Sequence, residues 1–402
     1  MKKLFISMSL LCVCAVMQAQ EQIRVWKGDS NTRFTTSELL FEQDGTVFIV
    51  GDSTYASAQV DSIKVVHTVT VTYAGDTAFV NLGHAPHVTD TIRGAHVKIV
   101  STDIKNELEF VLQGESTQGS LTYEGPLKCK FYLNGLNLKS NRGGAIDIQC
   151  GKRVNLILNP DTENFLADAA GGEQKAALYC KGHLEIEGSG SLTVTGNSKH
   201  AIATKEYMQL KKSTGTITVN KAASDAMHVG QYFLMNGGTI SITGQAGDGL
   251  QVEKVTLSDD VTPDPSKENN GQMFIRGGSI NITVDRDITK GIKVPENLTV
   301  SGGTFIIVAN GDGSRGIQVS GNMVVNEDDN TTLMQVRANG TTYEDEDTEE
   351  EDRCIGIKVK GNLSVDAGTI QVANKGKYSY GIKVDGIYSK SPNATVQANI
   401  KN

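Results

Sequence analysis

Residues 290–319 read KGIKVPENLTVSGGTFIIVANGDGSRGIQV, a stretch that opens and closes on one motif. Gly291-Ile292-Lys293-Val294 returns as Gly316-Ile317-Gln318-Val319, with Gly303-Thr304-Phe305 between them. Downstream the motif recurs as Gly356-Ile357-Lys358-Val359 and Gly381-Ile382-Lys383-Val384. Upstream it is Gly249-Leu250-Gln251-Val252, Ala226-Met227-His228-Val229, Ala201-Ile202-Ala203-Thr204, Ala177-Leu178-Tyr179-Cys180 and Ala145-Ile146-Asp147-Ile148. Counted from Ile146, the steps are 32, 24, 25, 23, 42, 25, 40 and 25 residues. A second unit lies between copies: Gly190-Ser191-Leu192, Gly215-Thr216-Ile217, Gly238-Thr239-Ile240, Gly278-Ser279-Ile280 and Gly368-Thr369-Ile370. Each starts a period-2 strand, as in Ile217 and Val219 on one side of Thr218. Short strands repeating every 23–25 residues without helical periodicity predict an all-β parallel β-helix. Nine or more coils, stacked at roughly 4.8 Å, would form a solenoid about 40 Å long. Three insertions are expected to protrude as loops: 159–174, 255–270 and 340–353.

Composition agrees. The 402 residues include 43 Gly, 7 Pro and only 6% aromatics, which speaks against a helical bundle. The net charge of −8 disfavours a duplex nucleic-acid binder, which needs a basic face. Eight acids sit in one run, Glu344–Asp352 (EDEDTEEED), so the charge is concentrated in a single insertion.

Residues 1–19 read as a secretory signal peptide: Lys2 and Lys3, an apolar stretch from Leu4 to Val16, and a small residue at Ala19. The apolar stretch is too short to span a membrane, and nothing later reaches 18 apolar residues. The expectation is a secreted protein of the periplasm or outer cell surface of a bacterium. Residues 20–66 form a small β-rich module, and 67–402 the β-helix, with 67–126 read as irregular strands capping it. Cys129, Cys150, Cys180 and Cys354 are read as small buried hydrophobes, with a Cys150–Cys180 bridge as the alternative.

Residues one coil apart become neighbours, so sequence period becomes spatial column. His200, Asp225 and Asp248 precede successive apolar units. Two carboxylates about 5 Å apart repel unless one protonates or a cation intervenes. The alternative is Asp as an ordinary turn residue. Asp287, Asp312 and Asp352 fall in a second column, which Lys290 and Arg315 are placed to neutralise. Lys293, Lys358 and Lys383 share an outward column, interrupted by Gln318, suited to uronate carboxylates or simply solvated. Tyr207 and Tyr232 occupy equivalent positions and are expected to stack, as a sugar platform or as an ordinary aromatic ladder.

From about Val71 to Val252 the chain resembles a secreted carbohydrate-binding family with a right-handed parallel β-helix fold, similar to pectate lyases. The matching residues are Tyr132-Leu133-Asn134-Gly135-Leu136, Glu163-Asn164-Phe165-Leu166-Ala167-Asp168 and Leu184-Glu185-Ile186-Glu187-Gly188-Ser189-Gly190-Ser191-Leu192. They continue through Lys199-His200-Ala201-Ile202, Gly215-Thr216-Ile217 and Gly247-Asp248-Gly249-Leu250. The resemblance implies Ca²⁺-dependent binding of cellulose-like or acidic cell-wall polysaccharide. Asp225 and Asp248 match its Asp-Gly-Ile pattern, and Glu206 sits where that pattern often has another Asp. The function expected is calcium-assisted polysaccharide binding without catalysis. A calcium-dependent lyase using Lys290, Lys293 or Arg315 is the alternative, and a structural or adhesive surface protein the second. No polygalacturonase, Gly-x-Ser-x-Gly, HExxH or P-loop signature occurs.

Overall fold

The computed structural model describes residues 22–27, 30–34, 39–41, 47–50, 53–256, 268–326, 332–344 and 351–401. The signal-peptide segment, most of insertion 255–270 and the centre of the acidic run lie outside the described residues. The chain divides into two units, with the boundary between Val65 and Val66.

The first unit is antiparallel. Strands Gln22–Lys27 and Ser30–Phe34 form a hairpin, and Leu39–Phe41, Val47–Val50 and Ser53–Ala56 form a meander. Ile23 and Val25 are buried against Phe34, Tyr55 and Val60. The rings of Phe34 and Tyr55 meet edge to face at 5.9 Å.

The second unit is a β-solenoid of about 11 turns. The repeated motif builds one sheet of 13 strands, running from Val88–Arg93 through His200–Thr204, Met227–Gly230 and Leu250–Glu253 to Ile400–Lys401. Register keeps the motif aligned through every insertion: Ile146 faces Leu178, Leu250 faces Ile292 and Ile317 faces Ile357. The inward residues Ile146, Leu178, Ile202, Met227, Leu250, Ile292, Ile317, Ile357 and Ile382 thus form one ladder, each with no exposed surface. Burying such a side chain contributes about 1.5–3 kcal/mol, so the ladder is a principal source of cohesion.

Most coils carry a third strand that the sequence pattern did not announce; in Met273–Val284 and Leu298–Ala309 it runs on into the following Gly-Ser/Thr strand. Val154–Leu158, Leu184–Glu187, Met208–Leu210 and Phe233–Met235 pair in parallel as a separate column. Three residues with two inward positions, such as Met208 and Leu210, are too few to display a period. The Gly-Thr-Ile strands form the remaining column, for example Thr216–Ala222 beside Thr239–Ile242. Gly278 and Gly303 turn the corner into it with φ of 93° and 103°, a region closed to most side chains.

Residues 67–126 are more regular than expected. His96–Ser101 and Ser120–Glu124 already belong to the 13-strand sheet, and Leu108–Ser116 pairs in parallel with Cys129–Lys139. The irregular part is confined to antiparallel strands Thr77–Asn81 and Val88–Arg93, which cover the open edge of the first coil. Among the described residues, Cys129, Cys150, Cys180 and Cys354 are buried free thiols. Cys180 lies opposite Ile148 and not Cys150, so the alternative bridge does not form. Among the described residues, no helix is long and apolar enough to cross a membrane.

The motif glycines answer to close approach and not to φ. A Cβ on Gly316 would lie 2.4 Å from Val336 Cγ1 and 2.5 Å from the Gly356 carbonyl oxygen. Gly316→Ala is therefore expected to cost about 1–3 kcal/mol as overpacking, read as a lower urea midpoint. An unchanged midpoint would refute the contact.

Candidate functional site

Strands of the 13-strand sheet point alternate residues into the core and away from it. The outward residues form two columns along one face. One runs Ala176, His200, Asp225, Asp248, Lys290, Arg315. The other runs Asp147, Tyr179, Ala203, His228, Gln251, Lys293, Gln318, Lys358, Lys383, Lys401. The face changes character along its length, from a cleft, through a histidine–carboxylate cluster, to a basic row.

The cleft holds about 400 Å³ and is lined by Asp147, Gln149, Gln174, Lys175, Tyr179 and Lys205. Tyr179 packs with Ala176 and Ala203 in an apolar cluster separate from the main core. Lys175 Nζ lies 5.0 Å from the centre of the Tyr179 ring and 3.4 Å from its hydroxyl. Burial pushes the Asp147 carboxyl up from its ordinary value. The cleft is not legible in the repeat, because Gln174 ends the insertion 159–174, which follows no period, and Lys175 comes directly after it.

The cluster lies one to three coils further on. Asp225 Oδ2 accepts a hydrogen bond from His228 Nδ1 at 2.9 Å and stands 3.5 Å from His200 Nδ1. Asp225 Oδ1 accepts the backbone N–H of Asp248 at 2.9 Å. His228 Nε2 reaches Glu253 Oε2 at 3.0 Å, and the rings of His200 and His228 stack at 4.4 Å. Burial alone would raise the Asp225 carboxyl, but the His228 and Asp248 N–H groups and nearby imidazole charge hold it below its usual range. Burial would lower His228, yet its two carboxylate partners keep it above 6.5. His200, buried beside His228, falls to about 4.

The structure brings Asp225 and Asp248 onto adjacent coils as predicted, but their oxygens are engaged elsewhere. Asp248 Oδ1 accepts the Lys290 N–H at 2.8 Å, and Oδ2 faces Lys293 Nζ at 3.1 Å. Glu206 joins neither; it pairs with His183 at 2.5 Å. The second carboxylate column also serves the backbone. Asp287 Oδ1 accepts the Asp312 N–H at 2.8 Å, and Asp312 Oδ1 the Thr341 N–H at 2.6 Å. Asp352 leaves that column for an antiparallel ribbon, Thr342–Glu344 with Glu351–Arg353, and pairs with Arg315. Calcium takes about six to eight oxygens. Among the described residues no three of these carboxylates converge, and the one convergent trio contains two imidazoles.

Tyr207 and Tyr232 stack as expected, with ring centres 4.7 Å apart. His183 extends the ladder at 4.3 Å, and the Tyr207 hydroxyl donates to Glu185 Oε1 at 2.8 Å. Both tyrosines are only 8% exposed, so their faces are covered by one another rather than offered to a sugar.

The basic row is aligned as predicted. Lys293, Gln318, Lys358 and Lys383 are successive partners, and Lys401 continues them. Lys290 and Arg315 stand in the neighbouring column. Burial depresses Lys290, and the charges of Arg315 and Lys293 add to that; burial, then Arg315 and Lys383, do the same to Lys358.

Residues 94–389 match the family described as carbohydrate-binding domain-containing protein. A protein of that description from Acetivibrio thermocellus is 30% identical over 140 residues, 32% of this chain and 48% of the relative. The chain thus spans about half the length of the relative it matches. Among solved structures, a polysaccharide lyase-like protein from C. thermocellum, in a gadolinium derivative, superposes with a TM-score of 0.52. That match covers 66% of this chain and 98% of the other at 21% identity, a likeness of fold.

Proposed function

The chain belongs to the family of carbohydrate-binding domain-containing proteins, and from that premise we propose that it binds an acidic polysaccharide along the outward face of the 13-strand sheet. The observation that carries the reading is the basic row. Lys293, Lys358, Lys383 and Lys401, with Lys290 and Arg315 beside them, repeat along one direction. A polymer of uronates repeats its carboxylates in the same way, so a linear ligand meets a linear array of cations. The cleft beside Tyr179 adds polar side chains, Asp147, Gln149, Gln174, Lys175 and Lys205, suited to hydrogen-bond sugar hydroxyls. The N-terminal signal pattern supports export, placing such a ligand outside the cytoplasm. The cations of this binding surface are the protein's own, so retention is expected to persist in EDTA.

Affinity electrophoresis through polygalacturonate tests the reading. The double variant Lys358→Ala, Lys383→Ala is expected to bind about tenfold more weakly at low salt, since each half-buried charge near the surface contributes up to about 1 kcal/mol. Salt should erase the difference by screening. Equal retention of both proteins at low salt would remove the basic row from the site.

A lyase is the second reading, and Lys290 is the observation that favours it. Its depressed amine lies between Arg315 and Asp248 on the same column, the setting in which a lysine takes a proton α to a carboxylate. Accumulation of unsaturated product by ultraviolet absorbance, abolished in Lys290→Ala, would establish it; no product from polygalacturonate would leave binding alone.

A further inference from the structure

We propose that His200, Asp225 and His228 form a site for a divalent first-row transition ion of the zinc class. The site is independent of the polysaccharide reading.

The ligand atoms of all three residues lie within 4.8 Å of one another. Asp225 Oδ2 is the hub, 2.9 Å from His228 Nδ1 and 3.5 Å from His200 Nδ1. Donors bonded to one zinc ion at about 2.0–2.2 Å stand roughly 3.3–3.6 Å apart, so the two contacts to Asp225 Oδ2 are near that spacing and the imidazole nitrogens close the rest as His228 turns. Two imidazoles and one carboxylate are the donor set of zinc-class ions, not of calcium. A fourth position is left for water.

A second observation points to a ligand. The His200 side chain is 5% exposed, and its Nδ1 is buried without a hydrogen-bond partner. Native structures rarely leave such an atom unmade, because its desolvation is not compensated. An ion beside Asp225 Oδ2 would meet that nitrogen directly.

The surroundings agree. Glu253 Oε2 lies 3.0 Å from His228 Nε2, the outer carboxylate that holds a metal-bound imidazole by its other nitrogen. Ile202 and Met227 are register partners, which fixes the two histidine-bearing strands side by side. One adjustment is required. The rings stack with planes 26° apart, whereas a metal lies in the plane of each imidazole it binds. His228, 22% exposed against 5% for His200, is the ring free to turn and open the stack. The proton on His228 Nδ1 leaves to solvent as the ion enters.

The test uses the full chain, stripped with EDTA and titrated with Co²⁺ and Zn²⁺. One equivalent of Co²⁺ is expected to give the visible d–d bands of a four-coordinate ion, bleached by Zn²⁺ and unaffected by excess Ca²⁺. Glu253→Gln removes no ligand and should weaken binding about 10–100-fold. His228→Gln and Asp225→Asn should weaken it at least about 100-fold, with far-UV circular dichroism showing both folded. Absent d–d bands, displacement by Ca²⁺, or unchanged affinity in folded His228→Gln would overturn the site. So would binding lost in His183→Gln but kept in His228→Gln, which would place the ion at the His183–Glu206 pair.

Discussion

Replacing Asn164 with leucine is expected to destabilise the solenoid by about 2–4 kcal/mol, although hydrophobic bookkeeping predicts a gain. Asn164 is fully buried and occupies a core position whose partner one coil on is Leu192. Apolar transfer alone would favour leucine there. The strand beside it is interrupted, however: the pairing of Leu108–Ser116 with Cys129–Lys139 shifts register after Gln113, and Gly135 adopts φ of 71°. Asn164 repairs that break. Its Oδ1 accepts the Leu136 N–H at 2.9 Å, and its Nδ2 donates to the Ser191 carbonyl at 3.0 Å and to Thr162 Oγ1 at 3.1 Å. Leucine would orphan a backbone donor and a backbone acceptor inside the core, at about 1–3 kcal/mol each. Urea unfolding of Asn164→Leu decides the matter. A midpoint at or above that of the parent would show that water or a local shift replaces the amide.

Acidification in EDTA is expected to destabilise the chain through His200. Its buried imidazole titrates at about 4 rather than 6.5, so the folded state declines a proton that the unfolded chain accepts. The stability this contributes is complete above pH 6.5 and is lost as pH falls from 6.5 to about 4, a change of about 3 kcal/mol. His228 works in the opposite sense. Its raised value means that its contribution is present at low pH and fades as pH rises through the folded value. Asp225, held below its usual range, loses its contribution only as pH falls through that lowered value. His200→Gln isolates the first effect. The difference in unfolding free energy between about pH 8 and about pH 4 should shrink by about 2–3 kcal/mol. Parallel pH profiles for the two proteins would show that His200 protonates normally in the fold.

Much of this architecture was legible before any coordinates. The steps of 23–25 residues identified the coil, and the alternation within Gly-Ile-Lys-Val told inward Ile from outward Lys. Asp225 beside Asp248 and Tyr207 beside Tyr232 followed from that period, because each column carries one strand per coil and successive coils stay in register. Asp352 fell out of its column because the insertion before it forms a ribbon of its own. The middle strands were invisible because three residues carry no period. His228 and Glu253 went unnoticed as ordinary outward positions, yet they complete the cluster around Asp225.

The sequence by itself determined which residues are neighbours, since every coil advances the chain by one strand spacing and repeats the same inward set. Only the tertiary structure decided what each neighbour does. Asp225 and Asp248 were aligned by the repeat as a carboxylate pair that calls for a cation, but backbone N–H groups, His228 and Lys293 reach those oxygens first. The physical reason is range. Burial in a stacked coil depends on a period that survives insertions of any length. A hydrogen bond or an ion pair is settled within about 3 Å, by rotamers and loops that no repeat encodes.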